Sequence, residues 1–416
     1  MPGRSQKIQP QNPADRQDSL DLGALLTNAT LVDIEICSGA GGLAVGLKNA
    51  GFSPGVFFEL DSHSCATLRE NIKSTNPTLL GSVLEGKVEN ADWRPFKDRV
   101  RLLAAGTPCQ PFSLAGKHLA DKDGRNLFPE LMRAFRALRP MGVFLENVRG
   151  LARASFRPYF EYILRQLECP SVRPRHQELW QSHDKRIRQR QLSVGYEPEY
   201  RVTYRLVDAA DYGVPQNRQR VIIVATRRDF PAYELPKRTH SREALLHALE
   251  SGDYWKKHGI KSPNGSKATV AGNGVNGEVN GALPWVTVRD ALRDLPPPAD
   301  SEEGAAMNHW KIPGARSYAG HNGSEMDWPS KTIKAGVHGV PGGENTIVED
   351  DNAFRYFTLR ETARLQTFPD AHVFTGARIR VTRQIGNAVP CHLATVLARP
   401  LYDLIQAELA KRATKL

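Results

Sequence analysis

The residues best equipped for chemistry lie in Gly106-Thr107-Pro108-Cys109-Gln110-Pro111-Phe112-Ser113. Leu102 to Ala105 precede them as a short apolar run, which reads as a buried strand. Open α/β sheets place ligands at the C-terminal ends of their strands, and Cys109 falls at such an end. Pro108 and Pro111 fix φ on both sides and bias the preceding residues to extended backbone. That stiffness suits a presented nucleophile. The bland alternative is a small core cysteine in a turn, since free cysteines are usually buried.

Two further groups could work with it. Met141 to Leu145 is an apolar strand that ends at Glu146-Asn147-Val148. A carboxyl group in an apolar surround has its pKa raised and can donate a proton. Gln216, Arg218 and Arg220 alternate, so they share one face if extended. Two guanidiniums and an amide on one face suit an anionic or carbonyl-bearing ligand.

These residues need a scaffold, and the first third of the chain describes one. Leu31 to Cys37 reads as a strand, Ser38-Gly39-Ala40-Gly41-Gly42-Leu43 as a tight turn, and Ala44 to Ala50 as a helix. Glycines there allow close backbone approach and free amides at a helix start. The next strand, Gly55 to Asp61, ends in Glu59 and Asp61, about 20 residues after the glycines, where an acid can bind a ribose hydroxyl. Leu60 is placed to pack on an adenine ring. This is an adenosine pocket, which either a nicotinamide dinucleotide or S-adenosylmethionine would satisfy.

Trp93, Pro95 and Phe96 read as a loop that closes over a ligand, and Gly116 to Asn126 as a mobile lid. Helices are expected over Phe128 to Leu138 and Arg153 to Leu167, and strands over Tyr204 to Val207 and Val221 to Ala225. Arg173 to Arg190 is basic, and reads as a nucleic-acid-facing stretch or a solvated helix.

The whole chain has 416 residues, with 40% hydrophobic and 24% charged, as in a soluble globular protein. No apolar run approaches the ~18–20 residues of a membrane span. The net charge of +11 favours a polyanionic partner such as nucleic acid. The cysteines Cys37, Cys65, Cys109, Cys169 and Cys391 form no CxxC pair, which argues against a disulfide framework and a metal site.

Cys109 in its Pro-Cys-Gln turn, Glu146-Asn147-Val148 and Gln216-x-Arg218-x-Arg220 stand in an order that resembles the DNA (cytosine-5) methyltransferase family of bacterial type. Arg360-Glu361-Thr362-Ala363-Arg364-Leu365-Gln366-Thr367-Phe368-Pro369-Asp370 resembles its penultimate motif, and Gln384-Ile385-Gly386-Asn387-Ala388-Val389-Pro390 its last. The resemblance spans roughly residues 30–405. It implies an α/β, Rossmann-like, S-adenosylmethionine-dependent methyltransferase domain with a smaller target-recognition domain. It also implies transfer of a methyl group from S-adenosylmethionine to C5 of a flipped-out cytosine through a covalent Cys109 adduct, with Glu146, Arg218 and Arg220 assisting. A transfer-RNA cytosine-5 methyltransferase and a nucleic-acid-binding protein without turnover are the alternatives.

By the same resemblance, Ile36, Ser38, Gly39, Gly41, Gly42, Glu59, Leu60, Pro108, Asn387 and Val389 bind the cofactor. Gln110, Ser113, Lys117, Gln216, Lys331, Lys334 and His338 are the candidates for nucleic-acid contact. The chain departs from the family pattern at Ile36-Cys37, where Phe is usual, and at Lys87 and Arg101, where acids are common. Asp92 could replace the acid missing at Lys87 after a register shift.

The expected organisation is a disordered lead-in over 1–28 and a catalytic and cofactor-binding domain over 29–230. A target-recognition region follows over 231–356, with a flexible Gly/Asn-rich insertion near 262–281, and 357–416 returns to the catalytic domain. Trp285 to Leu295 is expected to be a strand–helix piece near the catalytic core. The expected partners are double-stranded DNA and a cognate restriction endonuclease, with no membrane, for a monomer in the cytoplasm associated with the nucleoid.

Overall fold

The computed structural model describes residues 31–76, 82–107, 126–262, 281–301, 308–317, 322–336 and 345–414. The lid segment, the centre of the Gly/Asn-rich insertion and the lead-in lie outside them.

A seven-stranded sheet forms the centre, in the order β3-β2-β1-β4-β5-β7-β6. Its strands are β1 (Val32–Ile36), β2 (Pro54–Glu59), β3 (Val83–Glu85), β4 (Val100–Gly106), β5 (Gly142–Val148), β6 (Tyr200–Asp208) and β7 (Gln219–Arg227). β1 through β5 pair in parallel, and β7 runs antiparallel between β5 and β6. Every residue of β1 is buried, as expected for a strand covered on both faces. β1 has β2 on one side and β4 on the other, so the strand order reverses there. Such a reversal opens a crevice beyond the strand ends.

Helices cover both faces. On one, α3 (Phe128–Leu138) and α4 (Arg157–Glu168) pack against Leu103, Val143, Leu145 and Ile223. Outside α4 lies α5 (Trp180–Gln191), with Trp180 against Tyr159 and Tyr162. On the other face, α1 (Gly42–Asn49) and the long C-terminal α11 (Cys391–Ala413) bury Leu102, Ala104, Phe144 and Val224. Glycine is needed where α1 meets the C-terminal segment: a Cβ at Gly42 would lie 2.6 Å from the Val389 carbonyl oxygen. α2 (Ser62–Thr75) covers the β2 edge.

The recognition region contains small elements: β8 (His240–Ser241) with β9 (Leu283–Pro284), α6 (Arg242–Ser251), α7 (Asp253–His258) and α8 (Val288–Leu292), and a three-stranded sheet of β10 (Ser324–Glu325), β11 (Thr346–Val348) and β12 (Phe354–Tyr356). A separate apolar cluster joins its Val288, Trp310, Ile333 and Ile347 to α9 (Leu359–Leu365), α10 (Arg378–Asn387) and Ala40 of the glycine turn.

Several details differ from the sequence expectations. α4 begins at Arg157, not Arg153, because Pro158 lacks an N–H and is tolerated only in a helix's first turn. Trp93 and Phe96 do not close over a ligand. Both are buried core side chains, and Trp93 packs on Phe58 with ring centroids 4.8 Å apart. The basic stretch before and within α5 is laced by ion pairs, Arg165–Asp184, Arg186–Glu178 and Arg188–Asp184. No helix among the described residues is long and apolar enough to cross a membrane.

Candidate active site

Two strand ends set the reactive corner. Gly106, the last residue of β4, pairs with Glu146 on β5, and Val148 pairs with Arg220 on β7. The chain therefore leaves β4 toward Cys109 beside Glu146. Asn147 secures that exit, its Nδ2 donating to Thr107 Oγ1 at 2.7 Å. Pro108, Cys109, Gln110, Ser113 and Lys117 lie outside the described residues.

Glu146 is 6% exposed, but its surround is not apolar. Arg220 Nε stands 2.7 Å from Glu146 Oε1 as an ion pair. The pair is close without being aligned, so among the described residues Oε1 takes no hydrogen bond. Arg220 Nη1 donates instead to the Gln219 carbonyl at 2.8 Å. The site thus holds an acid fixed by a cation, with hydrogen-bonding capacity left on the acid.

Gln216 and Arg218 serve differently from Arg220. Gln216 is fully buried. Its Nε2 donates to the Leu365 carbonyl and Gln366 Oε1, and its Oε1 accepts from Ile333 N. Arg218, 2% exposed, donates to the carbonyls of Ile333, Gly386 and Ala388 at 3.2, 3.0 and 2.9 Å. Both side chains tie β7 to the last two motifs and to the recognition region. The structure does not bring Gln216 to an open face.

The same stitching continues through backbone. Asn217 N donates to Ser330 O, Ser330 N to Pro215 O, and Thr332 Oγ1 to Asn217 O. Lys334 is thereby held beside the arginines. Burial, then Arg218, then Arg220 push its ammonium pKa down. Asn345 clasps its backbone in both directions, at 2.8 and 3.0 Å. Lys331 is exposed, with its Nζ on the Asn322 carbonyl. His338 lies outside the described residues.

A cavity of about 700 Å³ opens in the crevice between β1 and β4 and reaches this corner. Of the cofactor candidates, Ile36, Ser38, Gly39, Gly42, Glu59, Leu60, Asn387 and Val389 line it, and Glu146 and Arg220 close one end. Gly41 caps α1 in the left-handed region at φ 90°, where a Cβ would also meet Leu68. A Cβ at Gly39 would meet nothing within 4 Å, so its backbone faces open space. Glu59 is held by three backbone amides: Gly39 N at 2.7 Å, and Leu60 N and Asp61 N at 2.8 Å. Leu60 is 65% exposed at the cavity's edge, free to cover a flat ring.

Glu35 was missed by the sequence reading. It lines the cavity, is fully buried, and among the described residues neither carboxylate oxygen takes a hydrogen bond. Burial, with Glu59 adding, pushes its carboxyl well above the usual range. Its only sequence signal is a charged residue inside an otherwise apolar strand. Burial likewise pushes the Cys37 thiol up.

Of the departures, Lys87 lines the cavity. Asp92 instead forks with Arg94 at the surface. Arg101 pairs with buried Asp33 near the opposite ends of β4 and β1 and does not touch the site. Among the described residues no group of His, Cys, Asp and Glu could hold a metal ion.

The cavity and the acid–arginine pair at its end are compatible with an adenosine-bearing cofactor. Residues 31–169 and 177–403 match the model of the C-5 cytosine-specific DNA methylase family. The type II methyltransferase M.Eco47II of Escherichia coli is 32% identical over 91% of this chain and 81% of its own length. M.NgoMIV of Neisseria gonorrhoeae, another type II methyltransferase, is 30% identical over 90% of this chain and 98% of its own. Among solved structures, a DNA modification methyltransferase of an E. coli prophage superposes with a TM-score of 0.55 at 19% identity, over 90% of this chain and 99% of that one. The Dnmt2 methyltransferase of S. pombe superposes at 0.53 with 16% identity, over 90% and 98%. These two carry the fold alone. This chain belongs to the C-5 cytosine-specific DNA methylase family.

Proposed function

We propose that Cys109, Glu146 and Arg220 carry the reaction of this DNA (cytosine-5-)-methyltransferase, and that the recognition region of residues 231–356 selects the DNA sequence. The Glu146–Arg220 pair, set beside the exit of β4 toward Cys109, is the observation that carries the reading. The cavity supports Glu59, Gly39, Leu60 and Asn387 as holders of S-adenosylmethionine, which supplies the methyl group when bound.

The residues divide the work by their chemistry. Cytosine C5 is a poor nucleophile. The Cys109 thiolate adds to C6, and the ring π electrons move to C5. Glu146 hydrogen-bonds or protonates N3, which spares the ring a full negative charge. Arg220 holds Glu146 in place and faces the base carbonyl. After C5 is substituted, loss of its proton and breakage of the C6–S bond return the Cys109 thiolate. The base must first leave the helix, at a cost of a few kcal/mol.

Lys331 and Lys334, on the segment stitched to β7, are candidates for phosphate or base contact near the extruded nucleotide. Gln216 and Arg218 act in this reading as positioning residues. The type II methyltransferases among the relatives favour double-stranded DNA as the substrate and a cognate restriction endonuclease as the partner enzyme. DNA carrying 5-fluorocytosine tests the mechanism, since fluorine blocks the final proton loss. With cofactor present, a denaturation-resistant adduct should map to the peptide containing Cys109. Turnover without any adduct, or an adduct elsewhere, would refute the assignment.

A further inference from the structure

The basic stretch before and within α5 has no part in the scheme above. The family match stops at Cys169 and resumes at Gln177, so the approach to this helix lies outside the shared pattern. From Arg173 to Arg190 stand six Lys or Arg residues against two acids, Glu178 and Asp184. Both acids are taken, Glu178 by Arg186 and Asp184 by Arg165 and Arg188. Asp184 is also buried, on the inner face of α5 with His183 and Ile187. Arg173, Arg175, Lys185 and Arg190 are exposed, and among the described residues none of them has a carboxylate partner.

The outer face of α5 therefore presents Gln181, Ser182, Lys185, Arg188 and Gln189 without one acid among them. Cations interleaved with amide and hydroxyl donors are the side chains that contact DNA phosphates. A helix that is merely solvated carries both signs along its face. A protein partner would need an apolar centre, whereas Leu179 and Leu192 are exposed only at the two ends of this helix.

The helix is also placed to extend the catalytic corner outward. It runs beside α4 in the same direction: Trp180 packs on Tyr159, and Gln191 Nε2 donates to Glu168 Oε2 at 2.8 Å. α4 itself follows the exit of β5 at that corner by way of residues 149–156. Arg149, whose Nη1 donates to Gln219 Oε1 beside Arg220, and Arg157 at the start of α4 are exposed on the way. We propose that the outer face of α5, with Arg173 and Arg175, binds the phosphate backbone of duplex DNA flanking the recognition sequence. These contacts read no bases. They add affinity by releasing the counterions condensed on the flanking phosphates.

Salt titration of binding to a mixed-sequence duplex of about three helical turns, ~30 base pairs, tests this with the full chain. The variant is Arg173→Gln/Arg175→Gln/Lys185→Gln, at three exposed positions without carboxylate partners. It should reduce the slope of log K against log salt by about 2–3 and weaken binding roughly ten- to a hundredfold near ~0.1 M salt. Lys185→Glu alone should move the slope the same way and serves if the triple variant is unstable. An unchanged slope in a folded variant would overturn the proposal and leave an acidic protein as the partner to seek. Methyl transfer to duplexes of ~15 and ~30 base pairs centred on the methylated cytosine locates the contact. The triple variant should raise KM on the longer duplex alone, with kcat unchanged. An equal loss on both lengths, or a fall in kcat, would contradict a flanking contact. If neither duplex is methylated by the wild type, the proposed function fails, while the salt slope still decides whether α5 holds DNA.

Discussion

Glu146 and Arg220 stand 2.7 Å apart across β5 and β7, yet among the described residues Glu146 Oε1 receives no hydrogen bond. The guanidinium fixes the acid without saturating it, which is what a group awaiting a base ring needs. Glu146→Gln should therefore slow single-turnover methyl transfer by roughly 10²–10⁴-fold while leaving cofactor affinity near wild type. Arg220→Lys should be similarly slow, since a point-charge ammonium cannot reproduce the planar fork. A near-wild-type rate for Glu146→Gln would remove it from the reaction.

Arg218 donates to three carbonyls from two distant segments, and its loss removes that donor from each, Ala388 alone keeping another among the described residues, Gln366 Nε2 at 3.2 Å. Arg218→Met should cost about 3 kcal/mol or more in unfolding free energy. Denaturant titration measures it. A variant of undiminished stability but no turnover would place Arg218 against the substrate instead.

Arg101 contributes to the scaffold. Its partner Asp33 is 1% exposed and also accepts the Ser53 amide at 2.7 Å. Arg101→Met strands a buried charge and should destabilise by about 3–5 kcal/mol, with turnover per folded molecule unchanged. Adding Asp33→Asn should recover much of that loss. A specific fall in cofactor affinity for Arg101→Met would contradict this assignment.

His372 gives a pH signature. It is buried, its Nε2–H donates to the Ala40 carbonyl at 3.0 Å, and burial pushes its pKa down to about 4. The folded state prefers the neutral ring, whereas the unfolded chain protonates near its ordinary value of 6.5. Its stability contribution is therefore complete above the unfolded pKa and is lost as pH falls toward the folded one. The loss is on the order of 3 kcal/mol across that window. Thermal unfolding of His372→Gln should show a shallower fall than the wild type over the same range; parallel curves would refute the assignment.

Much of this molecule was legible in the sequence because local rules and tertiary needs coincide. Phe128–Leu138 is the helix its periodicity predicts, and the glycine turn followed by Glu59 lines the cavity. The errors arise where tertiary packing decides. Trp93 and Phe96 carry no local mark that separates a core plug from a lid. Gln216 and Arg218 share the alternation of Arg220, but that Gln216 turns inward and Arg218 engages carbonyls at the cavity wall depends on segments over a hundred residues away, Ile333 and Gly386 among them. Glu35 hid inside an apolar strand because an unpartnered acid is visible only once its neighbours are placed.

The most direct test of the central claim is methyl transfer from labelled S-adenosylmethionine to mixed-sequence duplex DNA, with a transfer-RNA pool in parallel and the modified base identified and mapped. The account predicts 5-methylcytosine in one recurring DNA context, and its complete loss in Cys109→Ser with DNA binding retained. Label in RNA alone, methylation at another base or atom, or undiminished transfer by Cys109→Ser would contradict it.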